Sequence, residues 1–93
     1  MDARTGDFAK SKSGHDKDEI YVVVGISEGF VYLCDGRLRP TEKPKKKNVK
    51  HIQPINRVPE DIKLLCLQNG KFYNEGIKKA IKDYKIMTKA QEE

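Results

Sequence analysis

Short apolar runs separated by turn-forming residues fill the first half of the chain, a pattern typical of strands joined by tight turns. The run IYVVVGI at 20–26 is the richest in β-branched residues and predicts the most definite strand, with FVYLC at 30–34 as its hairpin partner. Weaker strands are expected at 8–12, 37–39 and 49–52. Pro54 is expected to end the last of them. Four or five short strands, with turns every ~8–12 residues, predict a small antiparallel β-barrel.

The last third of the chain changes to a helical period. Pro59, Glu60 and Asp61 suit a first helical turn, because proline loses no hydrogen bond there and acids favour the helix N-terminus. Asn69-Gly70 is expected to end this helix, and a second helix is expected from Asn74 to about Lys89.

Two stripes run along the second predicted helix. The apolar stripe consists of Ile77, Ala80, Ile81, Tyr84 and Met87. The cationic stripe consists of Lys78, Lys82, Lys85 and Lys89. The apolar stripe should dock on the barrel, whereas an RNA contact by the cationic stripe is left open. The chain is therefore read as a barrel over residues 6–57 and a helical extension over 58–93, packed on or beside it.

Composition narrows the class of protein. The 93 residues include 19 Lys and Arg against 14 Asp and Glu, for a formal charge of +5. No apolar stretch approaches the ~20 residues of a membrane span, and no basic-then-apolar leader begins the chain. We expect a soluble, unsecreted, monomeric protein of the cytoplasm, with one domain and a core too small for a large active-site cleft.

The positive charge is concentrated in one segment. Residues 37–50 (RLRPTEKPKKKNVK) contain seven cations and a single anion, Glu42, so the segment carries +6 and the rest of the chain sums to −1. Pro40 and Pro44 favour an extended backbone, so the lysines are expected to fan outward from a loop. Such a cluster repels itself unless solvent or a polyanion screens it.

Catalytic and metal chemistry find little support. Cys34 and Cys66 lie in apolar runs and are interpreted as reduced, core-filling thiols, while both histidines lie in polar segments. The cysteines are 32 residues apart and lack the close spacing of a zinc site. The carboxylates near residue 16 are interpreted as a solvated turn, and no phosphate-binding loop pattern occurs. We expect no enzyme activity, no cofactor and no metal.

Residues 6–17 (GDFAKSKSGHDK), followed by YVVV at 21–24, resemble the KOW motif, in which a strand enters through Gly-Asp, turns at a glycine and leaves through apolar residues. The stretches DGRLR at 35–39 and EKPKKKNVKH at 42–51 are similar to short bacterial proteins described as KOW-domain RNA-binding proteins. Those proteins are related to KOW-containing large-subunit ribosomal proteins of archaea and eukaryotes. The resemblance covers about residues 6–55.

This resemblance implies an SH3-like barrel of the KOW type that binds RNA, with ribosomal RNA as the expected ligand and translation as the expected setting. Gly14 would be the turn glycine, in a backbone conformation that side chains disfavour. Many KOW sequences place a second glycine where this chain has Asp18. The segment at 37–51 is therefore expected to make the stronger contact with RNA. The expected RNA contacts are Lys10, Lys12, His15, Lys17, Arg37, Arg39, Lys43, Lys45, Lys46, Lys47, Lys50 and His51.

Recognition is expected to rest on phosphates and RNA shape, with at most one of the aromatic side chains stacking on a base. Reversing Lys45, Lys46 and Lys47 to glutamate is then expected to weaken RNA binding and leave the fold intact. Three alternatives stay open: a solvated loop that only aids solubility, a protein-interaction module of the transcription or translation machinery, and adsorption to anionic membranes. The last lacks an apolar or lipidated anchor beside the lysines.

Overall fold

The first part of the chain forms one antiparallel sheet, in a computed structural model that describes residues 3–92, with side chains through residue 90. The five strands are β1 (Phe8–Ser11), β2 (Ile20–Ser27), β3 (Phe30–Cys34), β4 (Lys45–Asn48) and β5 (Ile52–Ile55). Strands β1 to β4 pair in chain order. A 3-10 turn at Val49–His51 then brings β5 back to pair with β1, so the spatial order is β4-β3-β2-β1-β5. The prediction of a small, mainly β domain is confirmed.

Two helices and a small hairpin follow the sheet. Helix α1 spans Glu60–Leu64, strands β6 (Leu67–Gln68) and β7 (Lys71–Phe72) form the hairpin, and α2 spans Asn74–Glu92. The predicted start of the long helix at Asn74 is confirmed. Asn69-Gly70 does not end α1, because both residues have positive φ (54° and 76°) and form the turn between β6 and β7. Two consecutive left-handed residues are what a two-residue hairpin turn requires.

The apolar run of β2 is continuous because both faces of the sheet are covered. Val23 belongs to a cluster on the inner face with Leu33 and Ile52, while its neighbour Val22 faces a second cluster shared with the helices. Side chains alternate between the faces of a strand, so a strand buried on both faces is apolar at every position.

Helix α2 packs on the outer face of the sheet through its apolar stripe. Ile77 and Ala80 are fully buried there, and the Phe8 and Tyr84 rings meet edge to face with centroids 5.6 Å apart. Burying one large apolar side chain contributes about 1.5–3 kcal/mol, so this shared cluster is a main link between sheet and helices. Within residues 3–92, neither helix combines the length and apolar composition needed to cross a membrane.

Four details of the predicted strand pattern are corrected by the structure. Residues 37–39 form a bend rather than a strand, and 49–51 form a 3-10 turn. Pro54 lies inside β5, which is at an edge of the sheet, where a missing N–H is tolerated. Residues 45–48, expected to lie in a loop held extended by the two prolines, instead form β4, which pairs with β3.

Candidate nucleic-acid interface

The loop between β1 and β2 is organised around one carboxylate, Asp16. Lys45 and Lys47 of β4 each place Nζ 2.7 Å from an Asp16 oxygen. Ser11 Oγ donates to Asp16 Oδ1 at 2.8 Å, and the Tyr21 hydroxyl donates to Oδ2 at 3.0 Å. The expectation of a solvated acidic turn is therefore wrong for Asp16, whose side chain is only 11% exposed.

Lys47 has all three ammonium hydrogens engaged inside the protein. Its Nζ lies 2.6 Å from Ser11 Oγ, 2.8 Å from Ser13 O and 2.7 Å from Asp16 Oδ1, and the side chain is 10% exposed. An ammonium group has three donors, so none remains for a ligand. Lys47 is thus a structural cation that ties β4 to the β1–β2 loop, and Lys45 shares the same anion.

Burial alone would raise the pKa of Asp16. The hydrogen bonds from Lys45, Lys47, Ser11 and Tyr21 together outweigh this desolvation and hold the pKa well below its ordinary range. The same cluster acts in the opposite direction on Tyr21, because burial and the hydrogen bond to the Asp16 carboxylate raise the pKa of its phenol above the usual value. Asp16 is therefore ionised and Tyr21 neutral at physiological pH.

The bend after β3 is held in place by hydrogen bonds of Asp35 and by the packing of Gly36. Asp35 Oδ1 accepts hydrogen bonds from the backbone N–H groups of Arg37 (2.8 Å) and Arg39 (2.9 Å), and the Asp35 N–H donates to Arg39 O at 3.1 Å. Gly36 has φ of +80°, and a Cβ added there would lie 2.4 Å from the backbone oxygen of Asn74. The loop therefore seats directly on the start of α2, in a position that admits only glycine.

The segment that follows is also anchored. The Asn74 side chain accepts a hydrogen bond from the Thr41 N–H at 2.8 Å and donates to Glu42 Oε1 at 3.1 Å. The expectation that the basic segment fans out from a loop is corrected: 35–42 is bound to the N-terminus of α2, and 45–48 is a strand. The backbone positions of the cations at 37–48 are consequently defined.

Arg37 lines a groove of about 580 Å³ between this loop and α2. Ile20, Ile81 and Ile86 also line the groove, and Glu19 and Asp35 contribute the carboxylates. Its other cations are Lys78, Lys82 and Lys85. Three lysines of the helical stripe thus share a groove with the basic segment. The sequence could not reveal this, because it follows from how α2 docks.

Arg39 and Lys45 line a neighbouring groove of about 430 Å³ together with His15. The exposed side chain of Leu38 and the Tyr21 ring complete much of the wall. Glu19 and Asp35 line both grooves, so the two adjoin across the bend at 37–39. The structure therefore brings together four predicted contacts, namely His15, Arg37, Arg39 and Lys45, around this bend.

The other predicted contacts lie around that region. The Lys12 N–H donates to His51 O at 2.8 Å, which places these two exposed residues side by side next to the exposed Lys50. Lys46 points to the opposite face of β4 from its neighbours and lies 4.4 Å from the centre of the Phe30 ring. Lys10, Lys17 and Lys43 are exposed as well.

Two residues of the β1–β2 loop, Gly14 and Asp18, have positive φ angles. Gly14 has φ of +89°, so its predicted left-handed backbone is confirmed. Asp18 has φ of +72°, a region that glycine favours and that aspartate tolerates better than most residues. Asp18 therefore adopts a backbone conformation that is typical of glycine. The Asp18 N–H donates to Ser11 O at 2.8 Å and closes the loop.

Both cysteines are free and fully buried, as expected of core-filling thiols. Burial raises the pKa of each thiol to about 11, with the charges of Asp35 and Glu42 adding to the effect at Cys34. Little reactive thiolate is therefore present near neutral pH. Among the described residues, no group of three or more His, Cys, Asp and Glu side chains is placed to hold a metal ion.

No family model matches the sequence, and no curated protein matches it.

Proposed function

We propose that this protein is a non-catalytic RNA-binding protein of the cytoplasm, acting on structured RNA and associated with the ribosome or with translation. Ribosomal RNA is the proposed ligand, in line with the KOW resemblance. The basic surface around the bend at 37–39, the β1–β2 loop and the 3-10 turn is the proposed contact.

We further propose that the sheet is an SH3-like barrel of the KOW type. Its strand order supports this, since four strands form a meander and β5 returns to β1 through a 3-10 turn. The inner-face cluster supports it too, because Val31 and Leu33 of β3 pack with Ile52 of β5, although these strands are not neighbours in the sheet.

The RNA proposal is supported chiefly by the number of predicted cationic contacts that do not pair with a carboxylate. Of the ten predicted lysine and arginine contacts, only Lys45 and Lys47 pair with a carboxylate among the side chains that the structure describes. The remaining eight are Lys10, Lys12, Lys17, Arg37, Arg39, Lys43, Lys46 and Lys50. All of these are exposed except Arg39, which is partly buried. A small domain that leaves so many cations unpaired favours a polyanionic partner.

The proposed mechanism is electrostatic. Cations that neutralise phosphates release condensed counterions into solution, which drives binding and makes it depend on salt. Arginine can hold a phosphate with two parallel hydrogen bonds, whereas lysine acts as a point charge, so the mixture suits a folded RNA backbone. The anchored segment keeps the spacing of these charges constant, which favours recognition of RNA shape over base sequence.

Reversal of Lys46 and Lys50 tests this proposal. Both are exposed and outside the Asp16 cluster, so Lys46→Glu with Lys50→Glu should preserve the fold and weaken binding of a structured RNA about tenfold or more at ~0.1 M salt. The matched control is Lys71→Glu on the small hairpin, which should bind within twofold of wild type. Equal affinity in all three proteins would contradict the proposal.

The reversal of Lys45, Lys46 and Lys47 suggested by the sequence is less suitable. A glutamate at 47 would face Asp16 in a largely buried site, and two carboxylates there destabilise the fold by repulsion. Loss of RNA binding in that variant would then report unfolding.

A protein-interaction module is the second candidate, favoured by a separate groove of about 270 Å³ on the α1 side. Leu64 and Leu67 line it and are 57% and 37% exposed. Ribonuclease treatment distinguishes the two functions, because complexes held by RNA dissociate and protein–protein complexes persist.

A further inference from the structure

Leu38 is the most exposed large apolar side chain among the described residues, at 88%. It lies at the tip of the bend, between Arg37 and Arg39. The two arginines are predicted RNA contacts, whereas a single exposed leucine is common on protein surfaces and by its sequence alone indicates no role.

The loop that carries Leu38 is held in place on both sides. Asp35 accepts hydrogen bonds from the backbone on both sides of the leucine, at 2.8 and 2.9 Å, and Gly36 packs against the start of α2. A mobile loop could fold an apolar side chain back onto the protein. This bend instead presents the leucine outward in a defined position, so a partner would not have to order the loop on binding.

The surroundings of Leu38 select the chemistry of that partner. Arg37 lines the larger groove on one side of the tip, and Arg39 lines the smaller groove on the other. The carboxylates beside them are Glu19 and Asp35, which line both grooves, and Asp35 already accepts hydrogen bonds from the backbone of the bend. Lys45 in the smaller groove is paired with Asp16, so the two arginines are the cations available beside Leu38. An apolar tip flanked by cations complements a ligand that offers an apolar surface between two negative charges. An unpaired nucleotide has this character, because its base is a flat apolar face set between backbone phosphates.

We propose that Leu38 packs against an unpaired base of the bound RNA while Arg37 and Arg39 contact the phosphates on either side. This rests on the proposed function. It adds a preference to it: RNA with an accessible base in a loop or bulge should bind better than a continuous duplex, whose bases are stacked inside the helix. Some DNA-binding proteins insert leucine between base steps, which shows that this side chain can pack against the face of a base.

Leu38→Ala tests this contact, measured by fluorescence polarisation on two RNAs. One probe is a hairpin with a single-stranded loop, and the other is a fully paired duplex with the same number of phosphates. The variant should bind the hairpin about fivefold to thirtyfold more weakly than wild type, because burial of the leucine side chain is lost. Duplex binding should stay within twofold, and the salt dependence should be unchanged, since no charge is removed.

The matched controls separate an apolar contact from a charged one. Leu64→Ala removes an exposed leucine on the α1 side and should bind both RNAs as wild type does. Arg37→Gln should weaken binding of both RNAs and lower the magnitude of the log–log salt slope by about 0.7–0.9. Because Leu38 is exposed, the alanine variant should have the melting temperature of wild type, as measured by circular dichroism.

The outcomes distinguish the two proposals. If wild type binds both RNAs and Leu38→Ala binds the hairpin equally well, the base contact is wrong and the proposed function stands. An equal loss on hairpin and duplex also contradicts a base contact. If wild type binds neither RNA, the proposed function itself fails. Leu38-dependent binding of an acidic protein that survives ribonuclease would overturn the base contact as well.

Discussion

Substitution of Lys47 should lower the stability of the protein, whereas substitution of its neighbour Lys46 should mainly weaken RNA binding. Lys47→Met removes three internal hydrogen bonds and leaves the Asp16 carboxylate with Lys45, Ser11 and Tyr21 as its remaining partners. Breaking a fully buried ion pair costs about 3–5 kcal/mol, and the surviving partners reduce that here. We expect a loss of about 2–3 kcal/mol in the free energy of unfolding.

Lys46→Met is the matched control on the same strand. It removes only an exposed contact with the Phe30 ring, which contributes about 0.5–1 kcal/mol. For a domain of this size, 1 kcal/mol corresponds to about 4–8 °C in melting temperature, so Lys47→Met should melt about 10–20 °C below wild type. Thermal and urea unfolding followed by circular dichroism measure both variants.

The affinity for structured RNA should be affected by the Lys46 variant and not by the Lys47 variant. At a temperature where both variants are folded, Lys47→Met should bind within twofold of wild type, because its ammonium is already fully engaged. Lys46→Met should bind more weakly and lower the magnitude of the salt slope by about 0.7–0.9. Equal losses of stability in the two variants, or a Lys47 variant that is stable but fails to bind RNA, would refute the assignment of Lys47 to the fold.

Three further predictions concern stability and reactivity. The pKa of Asp16 is depressed in the fold, so its carboxylate contributes stability above its ordinary pKa of 3.8 that is lost as the pH falls below that value. Wild type should therefore be more stable than Asp16→Asn at pH 7, and urea titrations should show that gap shrinking below about pH 4; a pH-independent gap would count against the cluster. Gly36→Ala should lower the free energy of unfolding by about 2 kcal/mol or more, because the new side chain meets both a positive φ and a steric clash with α2. Gly29→Ala, which has a positive φ but open space, should lower it by about 1 kcal/mol. Equal losses in thermal melting would argue against seating of the bend on α2. Cys34 and Cys66 should react with a thiol reagent at neutral pH only on unfolding, as followed by absorbance in native and denaturing buffer; rapid labelling of the native protein would show that they are accessible.

The elements whose sequence pattern favours only one type of secondary structure were predictable from the sequence. The β-branched run of β2 and the amphipathic stripe of α2 each favour a single structure, and both are present. Asn69-Gly70 was ambiguous, since the pair suits a helix end as well as a hairpin turn; the pairing of Leu67 with Phe72 decides between them.

The candidate site was predictable only as a set of charges. Chain position does not indicate that Lys47 faces Asp16 across the sheet while Lys46 faces outward, because this depends on the register of β4 against β3. A one-residue shift of register would exchange their roles. The meeting of Arg37 with the lysines of α2 likewise depends on tertiary packing, as does the presentation of Leu38 by Asp35.

The salt dependence of RNA binding tests the central claim most directly. Affinity for a structured ribosomal RNA fragment would be measured across a range of salt concentrations and plotted as log K against log salt. If about five cations contact phosphates, the slope should lie near −3.5 to −4.5. A slope close to zero, or no binding at low salt, would contradict the assignment of the basic surface to RNA.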